Sequence, residues 1–487
     1  MATSLALANF SANESLPLVL SVLCGLLESS GTMMPISPAR IAAFDILLRI
    51  EREDAFASEL LHSSQYEALS HQDHRLATEL VMSVLRWCSV LDEAIANYSS
   101  LKLSKLDREV LTALRLAAYQ LMFLDRIPQH AALDESVELV KRARKRSAAP
   151  FANALLRKLA SSKPQIPAIA QSSAASDLSR SSAHPPWLVE RWIQEFGIEA
   201  TKEICGYDQR VPETPFVIRD QALVQELQDH GIQLASGRLL ASSRGLVKGD
   251  LGRIPARLMD QIAIQDEGSQ LVALLLGAGS HILDCCAAPG GKTRVLAAGS
   301  PSAHVLAAEL HPHRARLLRS LVTATNVRVI AADARALPIA IEFDRVLVDV
   351  PCSGTGTLAR NPEIKWRLRP EDLDSLHARQ VAILRSAMHH VSSGGRLVYS
   401  TCSLEPEENA QVIDYVLRTD ASFRLLDCTE RLRELRTEGE VVWRDLGSLT
   451  RGPYLRTIPG VHPCDGFFAA ILERTQSSPV CEVQIPL

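Results

Sequence analysis

The sequence predicts a multidomain protein with an all-α domain, a small α+β subdomain and an α/β domain built on a mostly parallel sheet. Three observations support this fold class. Apolar residues recur at helical spacing early in the chain, a Ser-, Ala- and Pro-rich stretch follows, and strands alternate with helices from residue 262 onward. The length of 487 residues is enough for about three domains.

The composition is that of a globular protein and points to no general class of partner. Hydrophobic residues make up 47% of the chain and charged residues 22%, and the net charge is −4. Any nucleic-acid-binding patch must therefore be local. The ten cysteines contain no CxxC pair and no metal-ligand spacing. We therefore expect no metal site, reduced thiols and a cytoplasmic location.

Residues 1–36 form an unassigned N-terminal extension. Its apolar run from Leu16 to Leu27 has no preceding Lys or Arg, because the first basic residue is Arg40. The run lacks the positive region of a signal peptide and is too short to span a bilayer. Met33 and Met34 could each be the true start, so we interpret this stretch as a loose or mis-started extension. We expect no membrane partner.

Residues 37–161 are predicted to be helical throughout. Ser37 and Pro38 have the residue types of an N-cap and a first helical residue, and Asp107 is a second N-cap candidate. ARIAAFDILLRI and DREVLTALRLAAYQLMFL both place apolar residues three and four apart. Short connections between such segments predict a compact helical bundle.

The end of this helical region is strongly basic. The run from Lys141 to Lys158 carries seven Lys or Arg residues and no acid. It could be a solvated helix face or a surface that contacts phosphates, which would position RNA without reading its sequence. A local basic run in an acidic protein favours the RNA surface.

A first resemblance rests on the same region. YQLMFLDRIPQHAALDESVELVKRARKRSAAPFANALLRKL resembles the later helices of the NusB family of RNA-binding antitermination factors. The resemblance implies that residues 37–161 are a NusB-like, RNA-binding helical domain.

The middle of the chain is predicted to be a linker followed by a small subdomain. Residues 162–186 are rich in Ser, Ala and Pro, which is typical of a boundary. Residues 187–261 begin with a helical segment and continue as strand, helix, strand, strand, which predicts an α+β fold. Its position before the next domain suggests that it handles RNA.

Residues 262–475 show the alternation of a doubly wound sheet, and residues 476–487 are a C-terminal tail. A helix is predicted from about Glu371 to Val391, and Gly394 and Gly395 are expected to end it. The apolar stretch from Gly466 to Arg474 is predicted to be a late, antiparallel strand.

Three polar loops follow apolar runs in this last domain. They are HILDCCAAPGGKT (His281 to Thr293), VDVPCSGTGT (Val348 to Thr357) and YSTCSLEPEEN (Tyr399 to Asn409). Each therefore lies where a strand ends. In an open α/β sheet, ligands bind outside the carboxyl ends of the strands. The three loops are predicted to form one site.

The first loop is a glycine turn without a diphosphate motif. Gly290 and Gly291 allow the backbone to approach a ligand, and Pro289 shapes the turn. The stretch lacks GxGxxG, and a Walker A motif would need glycine at position 286, which is Cys286. A nucleotide triphosphatase and a nicotinamide oxidoreductase are therefore disfavoured.

Three acids are predicted at successive strand ends near this turn: Glu309, Asp333 and Asp349. A single acid there is often only a helix N-cap, but an acid at this position of a dinucleotide fold also binds ribose hydroxyls. Three acids around one glycine turn outline a nucleoside pocket without a diphosphate clamp. That pattern suits S-adenosylmethionine better than NAD.

The cysteines divide into two groups. Cys285, Cys428 and Cys481 are interpreted as small buried hydrophobic residues. Cys352 and Cys402 instead lie in polar loops directly after strands, and the two strands are expected to be neighbours. Both thiols are therefore predicted to face one cavity.

The three loops together carry a second resemblance. CAAPGGKT, DxPCSGTG and TCSxxPEEN resemble the RNA cytosine carbon-5 methyltransferases, and with the NusB-like domain they resemble the bacterial RsmB/Sun type, which modifies 16S ribosomal RNA. The stretch from Pro459 to Leu472 matches that family's closing motif. Glu309 departs from the usual Asp, although a longer carboxylate still reaches a diol. The resemblance implies a Rossmann-like, S-adenosylmethionine-dependent domain that forms 5-methylcytosine during rRNA processing.

The resemblance also implies roles for individual residues. Cys402 attacks carbon 6 of cytosine, Asp349 assists at the ring's N3, and Cys352 assists release. The RNA is 16S rRNA, met free or in a partly assembled subunit. The residues implied to bind the cofactor are Cys286, Ala287, Ala288, Pro289, Gly290, Gly291, Lys292, Glu309, Asp333 and Asp349, with Lys292 and the turn at its methionine end.

Two other functions remain open from the sequence. An exocyclic-amine methyltransferase favours an Asn/Asp-Pro-Pro-aromatic loop, whereas this loop runs Asp349-Val350-Pro351-Cys352. A non-catalytic RNA-binding or ribosome-assembly factor would tolerate loss of the two cysteines, which this chain retains.

Overall fold

The computed structural model describes residues 36–53, 55–162, 164, 168–172, 174–218, 220–249, 254–259 and 261–475. The expectations stated for residues 1–35, for the tail 476–487 and for Cys481 lie outside this part of the chain. Within it, no helix is both long enough and apolar enough to cross a membrane.

The first domain is a bundle of α-helices around one apolar core. Helix α1 begins at Pro38 as predicted. Asp107 does occupy the N-cap position of its helix, but its side chain does not cap it, because the carboxylate pairs with Lys145 at 3.1 Å. The core contains the fully buried Phe44 and Leu114. The helices are α1 (Pro38–Glu53), α2 (Ala57–Leu61), α3 (His71–Arg86), α4 (Cys88–Ala96), α5 (Arg108–Phe123), α6 (Gln129–Arg142) and α7 (Ala149–Ser162).

The stretch predicted to be a linker is partly helical. Helix α8 (Ala175–Ser182) lies inside it and buries Leu178 completely. Helices α9 (Pro186–Phe196) and α10 (Ile198–Asp208) follow. These helices share a small core centred on Trp192, which is 1% exposed. The polar composition of the stretch concealed this packing, because α8 contains one large apolar residue, Leu178, and otherwise buries serines.

The small subdomain has the predicted strand–helix–strand–strand order and one further strand. Its four strands pair antiparallel in the order β2-β3-β1-β4. The last strand, β4, comes from beyond the predicted boundary at residue 262. The elements are β1 (Pro215–Val217), α11 (Gln221–Asp229), β2 (Gln233–Ser236), β3 (Ser243–Lys248), α12 (Ala256–Met259) and β4 (Ala263–Ile264).

The α/β domain is built on a large mixed sheet. Its strands are β5 (His281–Asp284), β6 (His304–Glu309), β7 (Val327–Ala331), β8 (Phe343–Asp349), β9 (Val391–Thr401), β10 (Phe423–Leu426), β11 (Thr450–Arg451), β12 (Tyr454–Arg456) and β13 (Phe468–Arg474). Their order is β11-β12-β13-β9-β8-β5-β6-β7, and β10 also pairs with β13. The run from β9 to β7 is parallel, whereas β13 pairs antiparallel with β9, as predicted.

The helices of this domain lie between the strands in sequence. They are α13 (Glu267–Leu276), α14 (Gly291–Gly299), α15 (Pro312–Leu321), α16 (Ile364–Arg367), α17 (Asp372–Met388), α18 (Ala410–Thr419) and α19 (Cys428–Thr437).

The prediction that Gly394 and Gly395 end a helix is wrong. Helix α17 ends at Met388, and both glycines lie within strand β9. Pairing between β8 and β9 runs from Phe343 opposite Val391 to Arg345 opposite Arg396, so β9 has extra residues there. Gly394 has a φ of 71°, which a bulge of this kind can require. A glycine inside a strand therefore marked a bulge and not a helix end.

A short segment after the Cys352 loop, residues 363–367, connects the α/β domain to the first helical domain and to the end of helix α8. Its side chains bond to backbone groups: Glu363 accepts from the Ala57 N–H at 2.8 Å, while Lys365, Trp366 and Arg367 donate to carbonyls. Those carbonyls belong to Arg86 and Ala183 for Lys365, Leu85 for Trp366, and Ile50 and Ala55 for Arg367. Lys365 is 1% exposed, and burial lowers its pKa to about 7.

Candidate active site

The parallel sheet brings the three polar loops to one edge. Strands β5, β8 and β9 are direct neighbours, and Asp349 at the end of β8 lies opposite Ser400 near the end of β9. The loops that follow these strands therefore begin side by side. This arrangement agrees with the prediction that they form one site.

The glycine turn begins helix α14 and leaves no space for side chains. Gly290 has a φ of 114°, and a Cβ on it would lie 2.6 Å from Val322. Pro289 precedes it after a cis peptide bond. Below the turn, Thr293 donates to the buried carboxylate of Asp284 at 2.7 Å. Burial raises the pKa of Asp284 to about 6.

Two cavities contain the residues predicted from sequence. A cavity of about 550 Å³, here called the main cavity, is lined among others by Cys286, Ala288, Glu309, Asp333, Asp349, Cys352 and Cys402. A smaller cavity of about 150 Å³ is lined among others by Cys286, Ala287, Ala288, Pro289, Gly291, Lys292 and Asp349. The residues shared by the two cavities show that they adjoin. Gly290 lines neither and sets the shape of the turn.

The two cysteine thiols face each other. The Sγ atoms of Cys352 and Cys402 are 3.3 Å apart, within hydrogen-bonding distance for sulfur. The hydrogen bond with Cys402 and burial together raise the pKa of Cys352 well above its ordinary value. Cys285 and Cys428 are fully buried, in agreement with their interpretation as small hydrophobic residues.

A buried carboxylate joins the two cysteine loops. Glu408 is completely buried and accepts hydrogen bonds from the backbone N–H and hydroxyl of Ser353 and from the hydroxyl of Ser403. Gln380 also donates to it at 2.8 Å. Ser353 directly follows Cys352, and Ser403 directly follows Cys402. Glu408 therefore fixes the two thiols relative to each other. The sequence signal was present in the PEEN motif, but the motif alone did not indicate which acid turns inward.

Lys292 lines the smaller cavity together with the turn and also has partners that were not predicted. Its ammonium group pairs with Asp349 at 2.8 Å and lies 5.2 Å from the centre of the Phe467 ring. Ser400 donates to the other oxygen of Asp349 at 2.7 Å. Burial alone would lower the pKa of Lys292, but Asp349 outweighs it and the pKa is raised. Cys402 contributes to this rise, so the lysine also acts electrostatically on the thiol. Ser400 and Phe467 were not identified from sequence.

The two acids at the far side of the main cavity differ in environment. Glu309 is 5% exposed, and one of its oxygens accepts from the His311 N–H at 3.0 Å. Its other oxygen has no hydrogen-bond partner among the described residues. Asp333 is more exposed and is bound through both oxygens by Arg335, which lowers its pKa. Glu309 therefore has free capacity to bind a ligand, whereas the capacity of Asp333 is partly used.

The basic run of the helical domain is only partly free to bind anions. Lys141 pairs with Glu138, Arg142 with Asp45 and Lys145 with Asp107. Two further cations of the run, Arg144 and Arg146, have no hydrogen bond or ion pair within the described part of the chain. They line a cavity of about 740 Å³ with Lys141, Arg142 and Ser147.

Comparisons with known proteins agree with this architecture. Residues 271–473 match the model of the 16S rRNA methyltransferase RsmB/F family, and residues 37–161 match the NusB family. A probable ribosomal RNA small subunit methyltransferase B of Bacillus subtilis is 32% identical, covering 89% of this chain and 98% of the relative. A protein of Synechocystis with the same description is 30% identical, covering 90% of this chain and 99% of the relative.

Solved structures share the fold. The crystal structure of PH0851 is 23% identical, with a TM-score of 0.73, and covers 91% of this chain and 100% of that chain. A methyltransferase homologue from Pyrococcus horikoshii is 26% identical, with a TM-score of 0.51, and covers 62% of this chain and 99% of that chain.

Proposed function

Because this chain belongs to the 16S rRNA methyltransferase RsmB/F family, we propose that it transfers a methyl group from S-adenosylmethionine to carbon 5 of a cytosine in 16S rRNA. The observation that carries the proposal is the pair of thiols of Cys352 and Cys402, 3.3 Å apart beside the Lys292–Asp349 ion pair. Methylation of an exocyclic amine needs no thiol. Methylation of carbon 5 needs a thiol that attacks carbon 6 and a base that removes the proton from carbon 5 at the end.

The residues of the main cavity fit S-adenosylmethionine. The free oxygen of Glu309 suits a ribose diol, and every residue of the turn from Cys286 to Gly291 except Gly290 lines the adjoining smaller cavity. Asp349 lines both the main cavity and the smaller one, and Lys292, which lines the smaller one, pairs with it. When bound, the cofactor supplies an electrophilic methyl group. The chain's own residues hold the nucleoside and exclude water from the reacting carbon.

The first step makes carbon 5 of the base nucleophilic. The thiol of Cys402 gives its proton to Asp349 as its sulfur bonds to carbon 6, the ring electrons shift to N3, and Asp349 passes that proton to N3. The ammonium of Lys292 stays charged beside Asp349, which raises its pKa. Carbon 5 then carries the electron density that accepts the methyl group.

The second step restores the aromatic ring. Carbon 5 now carries both a methyl group and a proton. The thiolate of Cys352 takes that proton, the electrons form the carbon 5–carbon 6 double bond, and the sulfur of Cys402 leaves with the proton returned from N3. The hydrogen bond with Cys402 is the largest cause of the raised pKa of Cys352. Once the sulfur of Cys402 is bonded to carbon, that hydrogen bond is lost, while the burial of Cys352 remains. Cys352 releases its own proton to water before it acts as the base.

The remaining parts of the chain hold the RNA. The NusB-like domain and the small subdomain would bind 16S rRNA, free or partly assembled, largely by shape and phosphate contacts. The target base must leave its stack to reach the thiols.

Variants of the two cysteines test the mechanism. Cys402→Ala should bind RNA and cofactor but transfer no methyl group, because carbon 5 is never activated. Cys352→Ala should methylate and then remain as a covalent protein–RNA adduct, because the proton at carbon 5 is not removed. The double variant should form no adduct, and Cys88→Ala in the helical domain is the control. Denaturing gels with labelled RNA, followed by mapping of 5-methylcytosine, measure both outcomes.

Two results would contradict the assignment. An adduct from Cys402→Ala but not from Cys352→Ala would reverse the two roles. Full methylation by both variants without any adduct would make the cysteines structural and remove the covalent mechanism.

A further inference from the structure

The two most exposed large hydrophobic side chains in the described part of the chain lie on one cavity. Val211 is 72% exposed and Val247 is 65% exposed. Both line a cavity of about 500 Å³ between the small subdomain and the α/β domain, here called the flanking cavity. None of the residues assigned to the cofactor or to the chemistry lines it. Apolar side chains at such a position leave surface that a ligand can cover.

The wall of the flanking cavity on the α/β side is aromatic and rigid. Trp443 is half-buried, and its indole N–H donates to Ser448 at 3.1 Å. Its ring packs edge-on against His462, with centroids 5.8 Å apart. Val461, which is 38% exposed, lies on the same wall. A fixed aromatic ring among exposed valines suits flat, apolar groups.

The charges around the flanking cavity favour an anionic ligand with such groups. Arg210 lies on the cavity, and its side chain has no hydrogen bond or ion pair within the described residues. Arg238 pairs with Glu213 only through exposed side chains, and such pairs are weak. The carboxylates of the other two acids on the flanking cavity already have partners. Glu267 accepts hydrogen bonds from three backbone N–H groups, and Asp266 binds Arg360 at 3.2 Å.

The flanking cavity adjoins the catalytic edge of the sheet. Asp266 lines it, while the preceding residues Ile264 and Gln265 line the smaller cavity that contains Lys292 and Asp349. Consecutive residues of one segment therefore line the flanking cavity and the smaller cavity, so a polymer with its reacting group at the thiols has the flanking cavity close by.

We propose that the flanking cavity binds unpaired nucleobases next to the target cytosine, so that it selects the sequence context of methylation. The inference rests on the proposed function. A base that leaves its stack also unstacks its neighbours, and their faces are then available to valine and tryptophan side chains. Arg210 and Arg238 would contact the connecting phosphates. A docked protein partner would use the same valines but would not depend on nucleotides beside the target.

A binding cycle between protein and RNA tests the proposal. The probe is a short single-stranded RNA taken from the region of 16S rRNA that photocrosslinks to the wild-type protein. Each position is replaced in turn by an abasic nucleotide. Val211→Ser combined with Val247→Ser removes the apolar surface, and Ile341→Ser, 54% exposed and outside the cavity, is the matched control. Because these positions are exposed, the variants should fold like the wild type.

The expected result is a coupling between the valines and particular nucleotides. The wild type should lose about 5- to 100-fold in affinity when an abasic nucleotide replaces a stacked base. The double variant should bind intact RNA more weakly by a similar factor and no longer distinguish the abasic RNA. Ile341→Ser should behave like the wild type.

Two outcomes would overturn the proposal. The first is that the double variant loses as much affinity from the abasic nucleotide as the wild type does, so that the two losses multiply. That result would mean that the valines and the bases act independently. The second is unchanged RNA affinity in the double variant, with or without loss of a protein partner. Because the readout is affinity, it is separate from the reaction: coupling without methyl transfer would refute the proposed function and leave the flanking cavity as an RNA site.

Discussion

Glu408 is expected to be essential for the geometry of the two thiols, although it touches neither. It is completely buried and receives two hydrogen bonds from amide N–H groups, on Ser353 and Gln380, and two from the hydroxyls of Ser353 and Ser403. Removing it takes away the acceptor that the Cys352 loop and the Cys402 loop share, while direct bonds between the loops, such as Gly356 N–H to the Cys402 carbonyl at 2.8 Å, remain.

The size of the effect follows from which donors can find another acceptor. In Glu408→Gln the amide oxygen can still accept from Ser353 and Gln380, and the two hydroxyls can turn to accept from the new N–H. Only the charge is lost, which should cost about 1–2 kcal/mol of unfolding free energy. In Glu408→Ala the backbone N–H of Ser353 is left buried without an acceptor, while Gln380 keeps its bond to Pro351. That variant should lose about 3–5 kcal/mol.

In Glu408→Gln, we expect a large loss of kcat together with only a small loss of unfolding free energy. Displacement of reacting groups by about 1 Å can cost roughly 100-fold in rate. Glu408→Gln should therefore lower kcat by about 10- to 100-fold while the affinity for S-adenosylmethionine stays unchanged. Urea unfolding and transfer of a labelled methyl group measure the two effects.

The adjacent glutamate provides a matched control. Glu407 pairs with Arg191 near the surface, and its side chain is 26% exposed. Glu407→Gln should change neither unfolding free energy nor kcat by more than a small amount. If Glu408→Gln and Glu407→Gln have the same kcat, the carboxylate does not position the thiols and the reasoning fails.

Three further results are expected. Glu309→Ala should weaken S-adenosylmethionine binding by about 1–3 kcal/mol, and unchanged affinity by calorimetry would remove this acid from the cofactor site. Replacing Arg144 and Arg146 by Gln should make the slope of log affinity for RNA against log salt shallower by about 1.5, whereas Lys145→Gln, whose charge is paired, should change it less. Burial raises the pKa of Asp284 to about 6, so the folded state keeps a proton that the unfolded state releases from about pH 4 upward. Between about pH 4 and pH 6, the unfolding free energy of the wild type should therefore fall by up to about 3 kcal/mol more than that of Asp284→Asn. Parallel pH profiles of the two proteins would refute this.

The sequence could predict the site's location because that location depends on strand order. Three polar loops after apolar runs must share an edge if their strands are parallel, and the thiols of Cys352 and Cys402 do meet there. The antiparallel last strand was also evident from its apolar residues. These features depend on patterns several residues long, which a single chain displays.

Features that depend on which side chain turns towards which partner could not be predicted. Lys292 is predicted to lie near the cofactor's methionine end, and its ion pair with Asp349, which is distant in sequence, was not predicted. The side chain of Arg335 folds back and binds Asp333, which lies two residues earlier in the chain. Gly394 marks a bulge because its strand has extra residues opposite β8, and that mismatch exists only once two strands are paired.

The segment from Glu363 to Arg367 has a consequence for how the domains can evolve. Glu363, Lys365, Trp366 and Arg367 all bond to backbone groups of the helical regions, and the Arg367 guanidinium also lies 5.8 Å from the centre of the Phe56 ring. The helical partner can therefore exchange its side chains at those positions without losing the contacts, provided that its main chain keeps its path. Along this segment, the side chains that make the backbone bonds all come from the α/β domain. The helical region of a divergent relative should thus be transplantable onto this chain, and RNA preference could change by module exchange while the chemistry stays intact.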